Sequence, residues 1–325
     1  MAGLIPCVNL RLNLWKQKKN TIFISERCAM NKQLLLVAVI LAFTTACKKT
    51  ESGLPGKWQQ KASLPFSPGR TGSASFAIGG KGYIVGGSEN PVYYNDVYAY
   101  DPATDTWTQK TSCPGNHFLY PAFFVIHDIA YMGICQTETG YSKEFWAYDP
   151  ATDGWSRKAD YPGSAQSGSP SFAIGDFGYV ASDSSIDFWM YDPLADKWTR
   201  KNDVPVGVNN KYSANFVIGN KGYTGAGLDT KFWEYDPGQD TWSSKSPQGG
   251  LGVVGASLDG FGYFFGLDMG KSYRYNQQSD SWSPVAFYGN RIFGMTFTLN
   301  SKIYYASGGN GKDGLVNDFW EFTPE

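Results

Sequence analysis

The sequence predicts an all-β protein, a six-bladed propeller of four-stranded blades closed by an N-terminal strand that pairs into the C-terminal blade. Three observations predict it. The 325 residues include 38 Gly and 16% aromatics but only 18% charged residues, a balance that disfavours both helix and disorder. A marked segment recurs six times, the signature of an array of like units. A fragment of the same segment stands alone at the opposite end of the chain.

The repeat is read from two markers. Tyr-Asp-Pro-Ala-Thr-Asp-Thr-Trp ends at Trp107, and related octapeptides end at Trp155, Trp198, Trp242 and Trp282, in steps of 48, 43, 44 and 40 residues. Upstream of each lies an apolar stretch, a Gly- or Asp-rich turn and then Tyr83, Tyr131, Tyr179, Tyr223 or Tyr263; Tyr304 supplies a sixth copy. Within a unit the first strand is the small and apolar stretch, such as Ser73 to Ile78. A tight turn follows, where Gly takes positive φ without strain. The second strand carries the marker Tyr and ends in Gly. The third is an aromatic alternation, such as Val97-Tyr98-Ala99-Tyr100. Asp-Pro-x-x-Asp then turns the chain, because Pro presets φ and Asp bonds nearby backbone N–H groups. Trp opens the fourth strand.

The ends account for the closure. The sixth unit stops after its third strand, at residues 319–325, whereas Trp58 in KWQQKASLP matches DTWTQKTSCP around Trp107, 49 residues later. The N-terminal strand therefore completes the last blade and removes an unpaired sheet edge. The recurring Trp are expected to pack blade on blade. Asp105, Asp153, Asp196, Asp240 and Asp280 also recur, but without the alternating acids and Gly of a calcium loop. No metal or cofactor is expected.

This pattern resembles the kelch repeat, over about residues 58–325. The Gly doublet that follows strand two in that family is kept at Gly86-Gly87 and Gly308-Gly309, and the spaced Tyr and Trp are kept more widely. The resemblance implies that function lies on the face carrying the connections from strand two to three and from strand four to the next blade. Carried onto this chain, the first kind offers Glu89, Asn90, Tyr93, Tyr94, Gln136, Glu138 and Tyr141, and later Asp183, Asp229, Asp268, Lys312 and Asp313. The second kind offers Arg70, Asn116, His117, Gln166, Asn209, Lys211, Asn290 and Arg291. The position 13 residues before each marker Tyr reads Arg70, Phe118, Gln166, Asn210, Gly250 and Arg291, so the ring is chemically uneven. Arg, amide and aromatic groups around one mouth suit a polar ligand such as a sugar or a peptide carboxylate.

The same residues bear on two enzyme readings. Copper-radical oxidases share kelch-type propellers, but His117 and His127 are the only two histidines and are expected at opposite ends of the blades. The alternative is a carbohydrate mutarotase or epimerase of the sialic-acid type, which needs an acid and a base at the anomeric centre; Glu89, Glu138 and His117 are the catalytic candidates, with Arg70 and Arg291 beside them. No nucleophile elbow is present. Gly79-Gly80-Lys81-Gly82 aligns with a hairpin turn and lacks the pattern of a phosphate loop.

Ahead of the repeats, Leu34 to Phe43 is one apolar run, preceded by Lys32 and followed by Thr44-Thr45-Ala46-Cys47. Ten residues are too short for a bilayer span, which needs roughly 20, and the arrangement is that of a secretory signal. Cys directly after the small residues resembles a bacterial lipoprotein signal, which implies lipidation of Cys47. The regions then read as an upstream extension (1–29, with a natural start at Met30), a signal (30–46), a lipidated Cys and short tether (47–57) and the propeller (58–325). Cleavage before Cys47 leaves 22 basic and 28 acidic residues, a net charge of −6; such a surface is a poor partner for nucleic acid. Cys113 and Cys135 flank the first hairpin of unit two and could pair in an oxidising compartment. The expectation is a non-catalytic, monomeric kelch-repeat protein. It is anchored to the cell envelope by lipid alone and binds a protein or glycan outside the cytoplasm.

Overall fold

The strands form where side chains alternate between a buried and a half-exposed face. In Ala122–Ile126, Ala122, Phe124 and Ile126 are buried while Phe123 and Val125 are half-buried, a pattern that suits a sheet stacked between two neighbours. The computed structural model describes residues 53–325, apart from 116–117, 166, 183–185, 206–212, 226–230, 249–253, 268–269, 288, 290 and 310–313. In them 24 strands make six antiparallel four-stranded sheets. Blade one runs Ala74–Ile78, Lys81–Glu89, Val92–Asp101 and Thr106–Lys110, and blades two to five repeat this order. Blade six consists of Met295–Leu299, Lys302–Ala306 and Phe319–Thr323, completed by Lys57–Gln60. The closing strand pairs antiparallel, with Trp58 opposite Phe322 and Gln60 opposite Trp320. The first strands of successive blades touch around a ring, and that of blade six touches that of blade one.

The recurring Trp and Asp join the blades. Each Trp indole N–H donates to a carbonyl just past the fourth strand of the preceding blade. Trp107 reaches Ala62, Trp155 reaches Thr111, Trp198 reaches Ala159, Trp242 reaches Asn202, Trp282 reaches Ser246 and Trp58 reaches Ala286, at 2.8–3.4 Å. Each acceptor lies four residues after the preceding Trp, so the six bonds close a circle. Most of these rings also rest on a Phe of that blade's third strand; Trp107 and Phe319, for example, have centroids 5.1 Å apart. The Asp residues sit in the left-handed region, at φ between 44° and 53°, which Asp tolerates better than most side chains. There Asp105 Oδ1 accepts from the Tyr100 hydroxyl of its own blade at 2.7 Å and from the Ala62 amide of the preceding blade at 3.0 Å. Asp153, Asp196, Asp240 and Asp280 do the same.

One expectation needs correction. The connections from strand two to three in blades one and two are not open loops. Glu89 ends one strand while Tyr93 and Tyr94 lie in the next, and Gln136 and Tyr141 are likewise in strands. The ladder continues past a register shift between Val85 and Gly87, so only Asn90-Pro91 turns the first hairpin. Gly86 and Gly87, at φ 65° and 89°, make that bulge rather than end the strand. A Cβ on Gly87 would meet Ser73 Oγ at 2.1 Å. The pairing that the sequence leaves open for Cys113 and Cys135 is not made: both are free and buried, and burial pushes both thiols up to about 12.

Candidate functional site

The first strand of every blade leaves one backbone edge toward the channel, and an unpaired polar edge is costly once buried. Short hydroxyl and amide side chains satisfy it across the seams between blades. Ser75 Oγ donates to the Thr296 carbonyl at 2.9 Å, and Thr296 Oγ1 to the Gly255 carbonyl at 2.7 Å. Asn215 Nδ2 donates to the Ser171 carbonyl, and Ser171 Oγ exchanges two bonds with the Phe123 backbone. This repeated need makes the inner strands rich in Ser, Thr and Asn.

Where these strands begin, all six blades contribute to one cavity of about 260 Å³. It lies at the end carrying the connections from strand two to three and from blade to blade. Its lining holds Ser73, Ser169, Ser171, Ser213, Asn215 and Thr296, together with Tyr120, Phe123 and Phe293. Among the described residues no Asp, Glu, Lys, Arg or His lines it. Ser169 and Ser213 keep buried hydroxyls with no hydrogen-bond partner. Such a group costs about 1–3 kcal/mol, unless a ligand or water answers it.

A backbone chain sets the rim. Gly72, Tyr120, Gly168 and Phe293 occupy the same place in their repeats, 11 residues before the marker Tyr, with φ of 67°, 51°, 76° and 57°. The Tyr120 amide donates to the Gly72 carbonyl at 2.7 Å, and the Gly168 amide to the Tyr120 carbonyl at 2.8 Å. A left-handed aromatic residue costs about 1–3 kcal/mol and persists where its surroundings hold it. The Tyr120 and Phe293 rings meet edge to face, with centroids 6.5 Å apart.

The predicted residues distribute unevenly. Arg70 is buried, 5% exposed. Its guanidinium forks onto Asp96 at 2.5 and 2.9 Å, donates to the Gly86 carbonyl and lies between the Phe66 and Tyr94 rings at 4.1 and 3.6 Å. It ties the long hairpin to the incoming chain and does not line the cavity. Arg291 Nη2 also donates to Asp318, to Oδ2 at 2.7 Å. Glu89 ends the second strand of blade one and Asn90 is exposed in the turn, while Tyr93 accepts from Gln136 of blade two at 3.3 Å. Glu138 is exposed at the tip of the second hairpin. None of these lines the cavity. Cys47, Asn116, His117, Gln166, Asn209, Asn210, Lys211 and Asn290 lie outside the described residues, as do Asp183, Asp229, Asp268, Lys312 and Asp313. His127 is in the turn between the first two strands of blade two, as expected, paired with Asp176 at 2.9 Å. Sequence reasoning missed Tyr120, Phe293 and the acids Asp96 and Asp318. A fixed offset could have found the acids, each four residues before a buried Tyr100 or Phe322.

The kelch motif family matches residues 69–114, which span blade one. The solved structure of YjhT superposes with a TM-score of 0.66 at 15% sequence identity, covering 80% of this chain and 95% of that one. At that identity the likeness is one of fold. No curated protein matches the chain's sequence.

Proposed function

Because the chain is a kelch-repeat β-propeller, we propose that it is a non-catalytic binding module, taking a protein or glycan ligand where its six blades converge. One observation carries this reading: the described lining of the cavity at that mouth consists of hydroxyls, an amide and aromatic rings, groups suited to contact with a ligand. A mutarotase or epimerase requires an acid and a base at one carbon, and Glu89 and Glu138 stand on hairpins outside the lining.

The location belongs to the same proposal. The signal-like segment supports export, and lipid on Cys47 supports attachment to the cell envelope, periplasmic or surface-exposed. Lys48 to Leu54 then form a tether of seven residues, reaching at most ~25 Å, which enters the closing strand at the end of the blade opposite the cavity and keeps the body near the membrane. The functional test is proton NMR of sugar anomer exchange, sialic acid included, run beside a glycan array with the same full-length preparation. The expected result is array or pull-down binding with no acceleration of exchange. Acceleration that disappears in a Glu89→Gln, Glu138→Gln double variant would overturn the non-catalytic reading.

A further inference from the structure

The rim aromatics are placed where the backbone favours Gly. Blades one and three carry Gly72 and Gly168 at this left-handed position, and blades two and six carry Tyr120 and Phe293. In sequence Tyr212 and Gly252 stand at the same offset in the fourth and fifth repeats, outside the described residues. A bulky ring at positive φ is an outlier, and Gly at 72 and 168 shows that the fold accepts the unstrained choice. The neighbouring Gly also makes room, since a Cβ on Gly72 would come within 2.6 Å of Leu119 and 3.0 Å of the Tyr120 ring. Both rings line the cavity.

The rest of the lining complements them. Ser169, 5% exposed, and Ser213 come from blades three and four, line the cavity and hold buried hydroxyls with no partner. No cation lines the cavity among the described residues, and the two guanidinium groups behind the rim are engaged by Asp96 and Asp318. Against the described lining, a carboxylate buried here would lose its hydration without gaining a counter-charge. A neutral ring with one C–H face and several hydroxyls meets each requirement, stacking on the rings and bonding to the serines. About 260 Å³ falls just below the roughly 300–1,000 Å³ of pockets for drug-sized ligands, which suits one sugar ring.

We infer that the channel mouth binds a single neutral pyranose unit, seated against Tyr120 and Phe293 and hydrogen-bonded by Ser169 and Ser213. This rests on the binding-module reading and names the ligand class for it.

The test is saturation-transfer NMR and calorimetry on the full chain with the methyl pyranosides of glucose, galactose and N-acetylglucosamine. N-Acetylneuraminic acid and an acetylated peptide serve as the charged arms. At least one neutral pyranoside is expected to bind, with saturation strongest on one ring face and Kd unchanged within twofold between 50 mM and 500 mM NaCl, because no ion pair is involved. Tyr120→Gly and Phe293→Gly should each weaken it by about tenfold, a loss of about 1.4 kcal/mol, with the melting temperature kept within a few degrees. Ser169→Ala should weaken binding several-fold without lowering the melting temperature, because it deletes a buried hydroxyl that has no partner; it also keeps the test decisive if a rim variant fails to fold. Binding of only the acid or the peptide would overturn the inference and leave the module reading standing. Neutral binding untouched by all three variants would also overturn it. If no arm binds and a glycan array and pull-down are also empty, both fall.

Discussion

Asp105 shows how one residue type can hold neighbouring blades together. Its carboxylate accepts from Tyr100 and from the Ala62 amide, and Lys61 approaches at 3.9 Å. Blade six lacks the motif and compensates. Phe322 stands where the other blades have Tyr, Gly56 at φ 100° stands where they have Asp, and the Pro55 carbonyl accepts from the Ala286 amide. The hydroxyl and the carboxylate have thus been lost together. Asp105→Ala should therefore destabilise by about 2–4 kcal/mol, adding an orphaned Tyr100 hydroxyl to left-handed strain. The blade-six pair, Tyr100→Phe with Asp105→Gly, should cost clearly less than the sum of its single changes. Urea melts of the four-member cycle check this through a coupling above about 0.5 kcal/mol. Acid should act at the same sites. Burial alone would raise the carboxyls of Asp105, Asp153 and Asp280, but amide and tyrosine hydrogen bonds and a nearby Lys hold each below 3.8. The unfolded chain then takes up these protons first, so the stabilisation is complete above that value and is lost as pH falls through the folded value. Thermal melts should be flat from pH 7 to 5 and decline below pH 4, less steeply in Asp105→Asn.

Among the elements, the closing strand is the one whose removal tests the architecture. It has four residues, yet Trp58 packs on Phe322, Phe265 and Phe287 at 4.9–5.9 Å and donates to Ala286 at 2.8 Å. It therefore joins blade six to blade five as well as completing its own sheet. Trp58→Ala should cost ~3–5 kcal/mol, and deletion of residues 54–65 should lower the melting temperature further by exposing the edge of Phe319–Thr323; differential scanning calorimetry measures both. The tall hairpins of blades one and two look like loops in sequence because a Gly at the end of the second strand signals a turn. Whether such a Gly ends a strand or bulges it depends on whether a partner strand continues beyond. Here Gly87 pairs with Tyr94, and its neighbour Ser73 fills the space a side chain would need.

The whole molecule joins a rigid ring to a proposed envelope address. Every blade seam carries Trp and inner-edge hydrogen bonds, Asp bonds or both, so the mouth is held from all sides and can keep rim residues in strained conformations. If Cys47 carries the lipid, Cys47→Ser should move the protein from the detergent-requiring membrane fraction to the soluble fraction and abolish palmitate labelling; an unchanged distribution would remove the anchor from the account. The net charge of −6 after cleavage before Cys47 leaves the lipid, rather than attraction to anionic headgroups, as the source of attachment.

Repeat number, strand order and closure were determined by the sequence alone, because turn chemistry and hydrophobic alternation are local and six copies repeat them. Trp107, Asp105 and the fragment around Trp58 were legible for that reason. The tertiary structure decided which polar groups remain for a ligand. Arg70 looks available as a loop residue and is occupied only because Asp96, 26 positions later, folds back onto it. Tyr120 and Phe293 look like ordinary apolar residues and become rim partners only when blades two and six converge across Gly72. A period in sequence records what each blade shares, whereas a site is built from the differences that closing the ring brings face to face.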